Sequence, residues 1–393
     1  MKVPEIALVG IGGYAGTHYL YLKKFHQSGK INLSSVMVRP QDQEANAKSI
    51  EDLSTIGAEL FSSHEELLKK HHPDMVVLPV GIAFHKELTC LYLNAGVNVL
   101  VEKPAAGSVA DVISMIEAEK KSGSFVAVGF QNMYGSDILH LKKEIVSGKY
   151  GKVRNISVSG AWQRADAYYN RNNWSGKLYA SDGTAILDSP ANNAFAHFIN
   201  NALFLAGEKF EQTAHASAMQ SELFRCRRSI ESFDTCGIRL QCTGGALIQI
   251  LLTHCCSKRV DPELKIELDN AVIYWSNASW KIVDRNGKTL DSGNGVDSRE
   301  EMYSRLIGKL QGENEFYYTL NNAFEHTFCI EKLHENFKIN ELPEEEFTIL
   351  RDQDNQHVIP QIEELFARAF EKNLLLFEAG AAWSKPVEWK NLD

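Results

Sequence analysis

The sequence predicts a two-part α/β chain, a doubly wound parallel sheet followed by an α/β domain with an open, mostly antiparallel sheet. Three observations carry this. The apolar run Ile6–Val9 passes through a glycine turn into helical periodicity; short apolar runs then alternate with helix-patterned segments as far as Phe130; and from Arg154 the pattern changes to alternating, β-rich segments parted by turn residues. At 393 residues the chain exceeds what one hydrophobic core ordinarily serves, and the change of pattern divides it into residues 1–130 and 131–393.

Ile6-Ala7-Leu8-Val9 reads as a strand buried on both faces. Gly10, Gly12, Gly13 and Ala15 follow, and His18–Lys24 then reads as a helix. Strand, glycine turn and helix form the setting of a dinucleotide site. Gly10 permits the tight turn, Gly12 lets backbone approach a pyrophosphate, and Ala15 is the small third position of the helix–strand contact. The helix N-terminus adds partial positive charge and N–H donors. A bare glycine turn without ligand is the simpler alternative.

Leu33–Val38 is the second strand. Where an NAD-selective site places Asp or Glu, this chain has Val38-Arg39-Pro40, and Arg39 can pair with a 2′-phosphate or stack on adenine, which favours NADP over NAD. An exposed arginine that does neither stays open. A helix around Ile50, a strand at Glu59–Phe61 and a helix from Ser63 to Lys70 come next, with Ser63 and Glu66 spaced as a capping box. Asp74–Gly81 is a strand, a helix starts near His85, Val97–Val101 is a strand, Val109–Lys121 an amphipathic helix, and Phe125–Phe130 the last strand of the unit. Ligands on such sheets sit at the carboxyl ends of the strands, where the glycine turn, Arg39, Val80, Lys103 and Gln131 fall. Glu102-Lys103-Pro104 puts a charged pair at one of these ends. A lysine partly withdrawn from water beside a carboxylate can orient or exchange a proton, and a surface salt bridge is the equal alternative.

Hydrophobic content of 44% and charged content of 23% are ordinary for a globular protein. The formal net charge of −9 speaks against nucleic acid as a partner, since phosphate backbones demand clustered Lys and Arg. Met1–Pro4 runs directly into the first strand, which leaves no room for a secretory signal, and the run Met75–Phe84 is broken by Pro79 and Gly81 and too short for a membrane span. Seven cysteines without CxxC spacing, two of them adjacent at Cys255-Cys256, suit reduced thiols in a cytoplasmic protein, and no metal site is expected.

In the second part, a helix Asp137–Ser147 and a turn at 148–152 lead into the strand Arg154–Trp162. β-rich segments recur at 214–223, 236–242, 246–253, 264–268, 271–275 and 280–284, with turns at Gly244-Gly245, Asp269-Asn270 and Asn286-Gly287. Between the first two lie Asn173–Lys177 and Asp182–Leu203, rich in polar groups. Asn193 and His197 share a helix face with Asn200 or Asn201, a stripe that by itself reads first as a hydrogen-bonded core histidine. After an acidic link at Glu344–Glu346, an amphipathic helix is predicted from Val358 to Phe377, and Trp383 and Trp389 predict a tail that packs down.

Gly10-Ile11-Gly12-Gly13-Tyr14-Ala15-Gly16, Asp74–His85, Val101-Glu102-Lys103-Pro104 and Val128-Gly129-Phe130-Gln131-Asn132 resemble the successive landmarks of the Gfo/Idh/MocA oxidoreductases, which include glucose–fructose oxidoreductase and inositol 2-dehydrogenase. The Glu-Lys-Pro element is the most specific of these. The resemblance implies a Rossmann domain, an α/β domain with an open sheet, NAD(P)-linked oxidation or reduction of a sugar, polyol or derivative, and a homo-oligomer, dimer or tetramer. It implies cofactor contacts at Gly10, Gly12, Gly13, Tyr14, Ala15, Arg39, Val80, His85, Glu102, Lys103 and Gln131. His197 becomes the acid/base, Lys103 holds the reacting oxygen, and Trp174, Lys177, Asn193 and His197 meet the substrate. Two places depart from the pattern: Val80-Gly81-Ile82 stands where Thr-Pro-Asn is usual, and Asn132 where Arg is. The family's Asp before the histidine is Asp188 when aligned forward from Gly183, and Asn193 when aligned back from Gly207. An insertion, Ser189–Asn193, separates the two registers, so either residue can orient His197. A non-catalytic NAD(P)-sensing regulator and an NAD-dependent glycosidase are the alternatives, against which the pairing of Lys103 with His197 speaks.

Overall fold

Six strands, β1 (Glu5–Val9), β2 (Asn32–Met37), β3 (Glu59–Phe61), β4 (Met75–Leu78), β5 (Asn98–Val101) and β6 (Val126–Val128), build an all-parallel sheet in a computed structural model that describes residues 3–392. Their order is β3-β2-β1-β4-β5-β6. The order reverses between β1 and β4, the point at which doubly wound sheets open a crevice for a ligand. Ile6, Ala7, Leu8, Val76, Val77, Val99 and Leu100 have almost no exposure, as apolar runs flanked by helices on both faces require. The helices His64–Lys70, His85–Asn94 and Val109–Ser122 fall where periodicity places them, and the first, Tyr14–Gln27, starts a turn before the predicted His18. Ser63 accepts the Glu66 N–H at 3.2 Å, the serine half of the predicted capping box. The strands predicted at Asp74–Gly81 and Phe125–Phe130 are shorter, because their last residues leave the ladder to form the carboxyl-end loops.

A second sheet takes ten strands, nine of them β7 (Val153–Ala161), β8 (Ala216–Arg225), β9 (Thr235–Cys242), β10 (Leu247–Thr253), β11 (Val260–Leu268), β12 (Ala271–Ser276), β13 (Ser279–Asp284), β14 (Thr289–Asn294) and β15 (Ile339–Glu341). They run β14-β13-β12-β11-β7-β10-β9-β8-β15, and Lys390–Asn391 pairs with β8. All neighbours are antiparallel except β7 with β10 and β8 with β15. Adjacent residues of β7 point to opposite faces. Gly160 faces Phe195, just before the helix Ala196–Ala206, while Ala161 joins the cluster built on Leu365, Phe366 and Phe370. Helices therefore lie on both faces of the central strands.

The tail helix is Ile362–Lys372, shorter than predicted at both ends. Gln356–Val358 pairs with Thr348–Leu350 as a two-stranded ribbon, and Asn373, at φ 55°, ends the helix. Trp383 packs edge-on to Phe224 at 4.7 Å, whereas Trp389 is 43% exposed, so the tail packs down through Trp383 and the pairing of Lys390–Asn391 with β8, and not through Trp389.

The chain forms two compact units. The first comprises the residues up to Gly135 together with Asp297–Phe324; the second comprises Ser136–Val296 and the residues from Glu325 on. Where the sequence reading draws one boundary after residue 130, the segment Asp297–Phe324 returns to the first unit. Its helix Ser298–Leu310 buries Tyr303 against His18, Arg305 donates to the Tyr134 carbonyl at 2.9 Å, and the Tyr318 carbonyl accepts the Val128 N–H at 2.9 Å. Among the described residues no helix is long and apolar enough to cross a membrane. All seven cysteines are free thiols.

Candidate active site

At the carboxyl ends of β1, β2 and β4 a cavity of about 680 Å³ opens, its walls including Gly10, Gly12, Gly13, Ala15, Arg39 and Val80. Gly10 has φ 81°, and a Cβ there would lie 3.3 Å from the Ala15 side chain. The turn thus needs glycine, and the contact behind it needs a small residue. The helix Tyr14–Gln27 begins at Gly13 with no side-chain cap and no acidic residue in its first turn, which leaves its N–H donors to an anion. Arg39 stands exposed at the end of β2 and donates from Nε to Asp42 at 2.7 Å, and Asp42 also lines the cavity. Glycine cradle, uncapped helix end and a polar pair at the ribose end fit a dinucleotide.

Behind the turn lies a buried hydrogen-bonded row. His18 Nδ1 is 2.6 Å from the Tyr303 hydroxyl and Nε2 is 3.0 Å from Glu102 Oε1. A carboxylate only accepts, so Nε2 carries a proton, and in that tautomer of the neutral ring Nδ1 accepts the tyrosine O–H. Burial and the Glu102 charge push the Tyr303 phenol well above its ordinary range, which keeps that donor in place. Glu102, 4% exposed at the end of β5, also accepts the Lys103 N–H at 3.1 Å, and a Cβ on Gly129 would come within 2.7 Å of it. Lys103 is half-buried. Arg299, from the returning segment, donates to the Tyr14 hydroxyl at 2.6 Å and to Gln131 Oε1 at 3.4 Å. Tyr14, Glu102, Lys103 and Gln131 lie outside the cavity lining.

His85 is fully buried and does not line the cavity. Its ring nitrogens face the Pro104 carbonyl at 2.8 Å and the Val80 carbonyl at 3.0 Å, so it braces the loops after β4 and β5. Burial pushes its imidazole below the ordinary range, and a neutral ring donates only one N–H at a time. His85, for which the sequence reading expects a cofactor contact, thus spends its ring nitrogens on spacing these two loops.

In the second unit, Pro190–Ala194 forms a single wide π turn, with the Phe195 N–H on the Pro190 carbonyl at 2.9 Å, and Ala196–Ala206 continues as an α-helix with His197 half-buried in its first turn. Leu187, at φ 50°, turns the chain into Asp188, a conformation that side chains with a Cβ adopt at a cost. Asp188 is buried; Oδ2 accepts the Gly176 N–H at 2.6 Å and Oδ1 accepts Asn193 Nδ2 at 2.9 Å. The two residues that the sequence leaves as alternatives are hydrogen-bonded to each other. Lys177 pairs with Glu231 at 2.9 Å. Trp174 is half-buried, with the Arg171 guanidinium 5.4 Å from its ring centre. Arg171 lies closer to Tyr168, at 3.6 Å, with Arg164 4.6 Å from the same ring, and the Tyr168 hydroxyl is 3.5 Å from Asn193 Nδ2. At the far end of the His197 helix, the buried Lys142 ammonium donates to the carbonyls of Phe204 and Gly207, each at 2.5 Å, and of Gln212 at 3.1 Å.

Sequence reading missed His18, Tyr303, Arg299, Tyr168, Arg164 and Arg171. His18 and Tyr168 carry a local signal: each lies beside a recognised motif and within reach of it, His18 one turn past Tyr14 and Tyr168 a few residues before Trp174. Among possible metal ligands, Cys226, Asp234 and Cys255 place their ligand atoms within 4.8 Å of one another. Asp234 Oδ2 accepts the Cys226 and Arg227 N–H groups at 2.9 Å, and burial raises both thiols, so the group fastens a turn with protonated sulfurs.

Residues 5–130 match the family model described as "Oxidoreductase family, NAD-binding Rossmann fold". The chain is 37% identical over 87 residues to a 1-carboxy-3-chloro-3,4-dihydroxycyclohexa-1,5-diene dehydrogenase of Comamonas testosteroni, an alignment that spans 22% of each chain. It is 31% identical over 107 residues to an inositol 2-dehydrogenase of Salmonella paratyphi B, spanning 27% of this chain and 32% of the relative. These alignments thus reach a third or less of either relative. The WlbA dehydrogenase of Bordetella pertussis, solved with NADH and UDP-GlcNAcA, superposes with a TM-score of 0.69 at 20% identity, over 85% of this chain and 96% of that one, a likeness of fold.

Proposed function

We propose that this chain, whose residues 5–130 belong to the Gfo/Idh/MocA oxidoreductases, is an NAD(P)-dependent oxidoreductase acting on a CH–OH group of a sugar, polyol or derivative. The observation that carries the reading is the glycine turn opening on a cavity of about 680 Å³, with Glu102 and Lys103 at the carboxyl end of β5, two strands along from β1. Gly10, Gly12, Gly13 and the first turn of the Tyr14–Gln27 helix would hold the pyrophosphate. When bound, NAD(P) exchanges a hydride with the substrate carbon. His197 takes the proton from the substrate hydroxyl, and the Lys103 ammonium holds that oxygen as negative charge develops on it. Asp188 and Asn193 act as one hydrogen-bonded unit that sets the start of the His197 helix, and Trp174 offers an apolar face to a sugar ring. Lys177, paired with Glu231, contributes a neutralised edge. Arg39 serves a 2′-phosphate and Asp42 a 2′-hydroxyl, so both NAD and NADP are used, NADP by preference.

We take the protein to work in the cytoplasm as a homo-oligomer, a dimer or tetramer, a reading supported by seven free thiols and by the family resemblance. Light scattering on the purified chain checks the subunit number. Replacing His197 by Ala is expected to lower turnover of a sugar or polyol by about 10²–10⁴-fold and to leave NAD(P)H affinity, read by fluorescence titration, within about twofold. Unchanged turnover removes His197 from the reaction. Release of reduced cofactor into solution separates a dehydrogenase from a regulatory sensor and from a glycosidase that retains its NAD.

A further inference from the structure

Resting on the oxidoreductase reading, we propose that the substrate carries a compact oxyanion, a carboxylate or a phosphate, which Arg164 and Arg171 bind beside Asn193. Both guanidinium groups lie against the ring of Tyr168, at 3.6 Å for Arg171 and 4.6 Å for Arg164. The hydroxyl of that ring reaches Asn193 at 3.5 Å, one helical turn before His197. Two like charges on one tyrosine repel each other, and proteins ordinarily relieve such a pair with a carboxylate. Neighbouring arginines follow that rule: Arg227 pairs with Asp166 and Arg259 with Asp261. Among the described residues, Arg164 and Arg171 have no carboxylate partner. Arg164 donates from one terminal nitrogen to the Gln163 carbonyl at 3.1 Å, and its buried Nε has no partner among the described residues.

The acidic group facing Tyr168 is Asp188, whose oxygens already accept the Gly176 N–H and Asn193 Nδ2. One carboxylate against two guanidinium groups leaves positive charge at the ring, and Lys177 with Glu231 adds none. The buried His254 reports that field, since burial and then the charges of Arg164 and Arg171 push its imidazole down to about 3. Arg171 is exposed and so open to a ligand, and a planar guanidinium binds carboxylate or phosphate through two parallel hydrogen bonds. Trp174, half-buried beside Arg171, gives the adjoining sugar ring an apolar seat. The preference is for acidic sugars, uronates or sugar phosphates, over neutral polyols.

Calorimetric titration of the full chain loaded with NADH tests this with matched sets, each neutral aldose beside its uronate and its 6-phosphate. One anionic member of at least one set is expected to bind about tenfold tighter than its neutral partner, and which anion wins tells carboxylate from phosphate. The double variant Arg164→Met, Arg171→Met is expected to bind anion and neutral sugar alike, with NADH affinity kept as evidence of folding. Equal binding across every set, or an anion preference that survives in the folded double variant, overturns the proposal. An anion preference without any hydride transfer leaves this site standing and overturns the oxidoreductase reading instead.

Discussion

Lys142→Met, under the helix that carries His197, is the substitution whose outcome the structure sets most narrowly. The wild-type ammonium is fully buried and donates to the carbonyls of Phe204 and Gly207 at the end of that helix and of Gln212 beyond it. Hydrogen bonds from a charged donor contribute about 2 kcal/mol each, roughly 6 kcal/mol in all. Against this stands burial, which pulls the lysine from 10.5 down to about 7. At about 1.4 kcal/mol per unit, that penalty offsets roughly 5 kcal/mol. At pH 6, with the amine charged in both folded and unfolded chains, methionine is expected to cost about 1 kcal/mol. Between pH 7 and the ordinary lysine range the unfolded chain holds a proton that the folded one releases, so wild-type stability rises with pH relative to the variant, by about 1.4 kcal/mol per unit. The gap then reaches about 4 kcal/mol at pH 9. Urea unfolding of both proteins at pH 6, 7.5 and 9 measures it. A gap that stays flat across the series refutes the reasoning, because it means that the folded chain keeps the ammonium charged throughout.

Tyr303→Phe removes the donor to His18 Nδ1 and is expected to cost about 1–3 kcal/mol, read as a lower melting midpoint by calorimetry; an unchanged midpoint places the hydroxyl outside the row. Gly10→Val forces a branched side chain into φ 81° against Ala15, and loss of NAD(P)H binding by about 100-fold is expected in a fluorescence titration. Arg39→Ala is expected to raise KM for NADP about tenfold while KM for NAD moves less than about twofold; equal changes for both remove Arg39 from the 2′-phosphate.

What could be read from the sequence was local. Ile6–Val9, the glycine turn and the strand at Val97–Val101 announce themselves because both faces of a buried strand must be apolar and the turn needs glycine. Thr289–Asn294 makes a strand without an apolar face, its residues all exposed or half-buried, so only the Asn286-Gly287 turn before it gave a sign. Long-range pairings left no local trace. Nothing in the string around Tyr303 says that it meets His18, and nothing around His85 says that its two nitrogens are spent on backbone. The site segment is the instructive case. Asp188 and Asn193 competed for one role in sequence because a wide turn, Pro190–Ala194, shifts the register between them, and in space they share a hydrogen bond.

The returning segment Asp297–Phe324 changes how this protein can be made. A nascent chain that has emerged as far as Gly135 has every strand of the parallel sheet but lacks Tyr303 to close over His18 and the Tyr318 carbonyl to receive Val128. The half that would hold the nucleotide is thus begun first and stays unfinished while β7 to β14 are synthesised. Order of translation and order of completion differ here, and a fragment cut after Gly135 is a poor stand-in for the nucleotide-binding half.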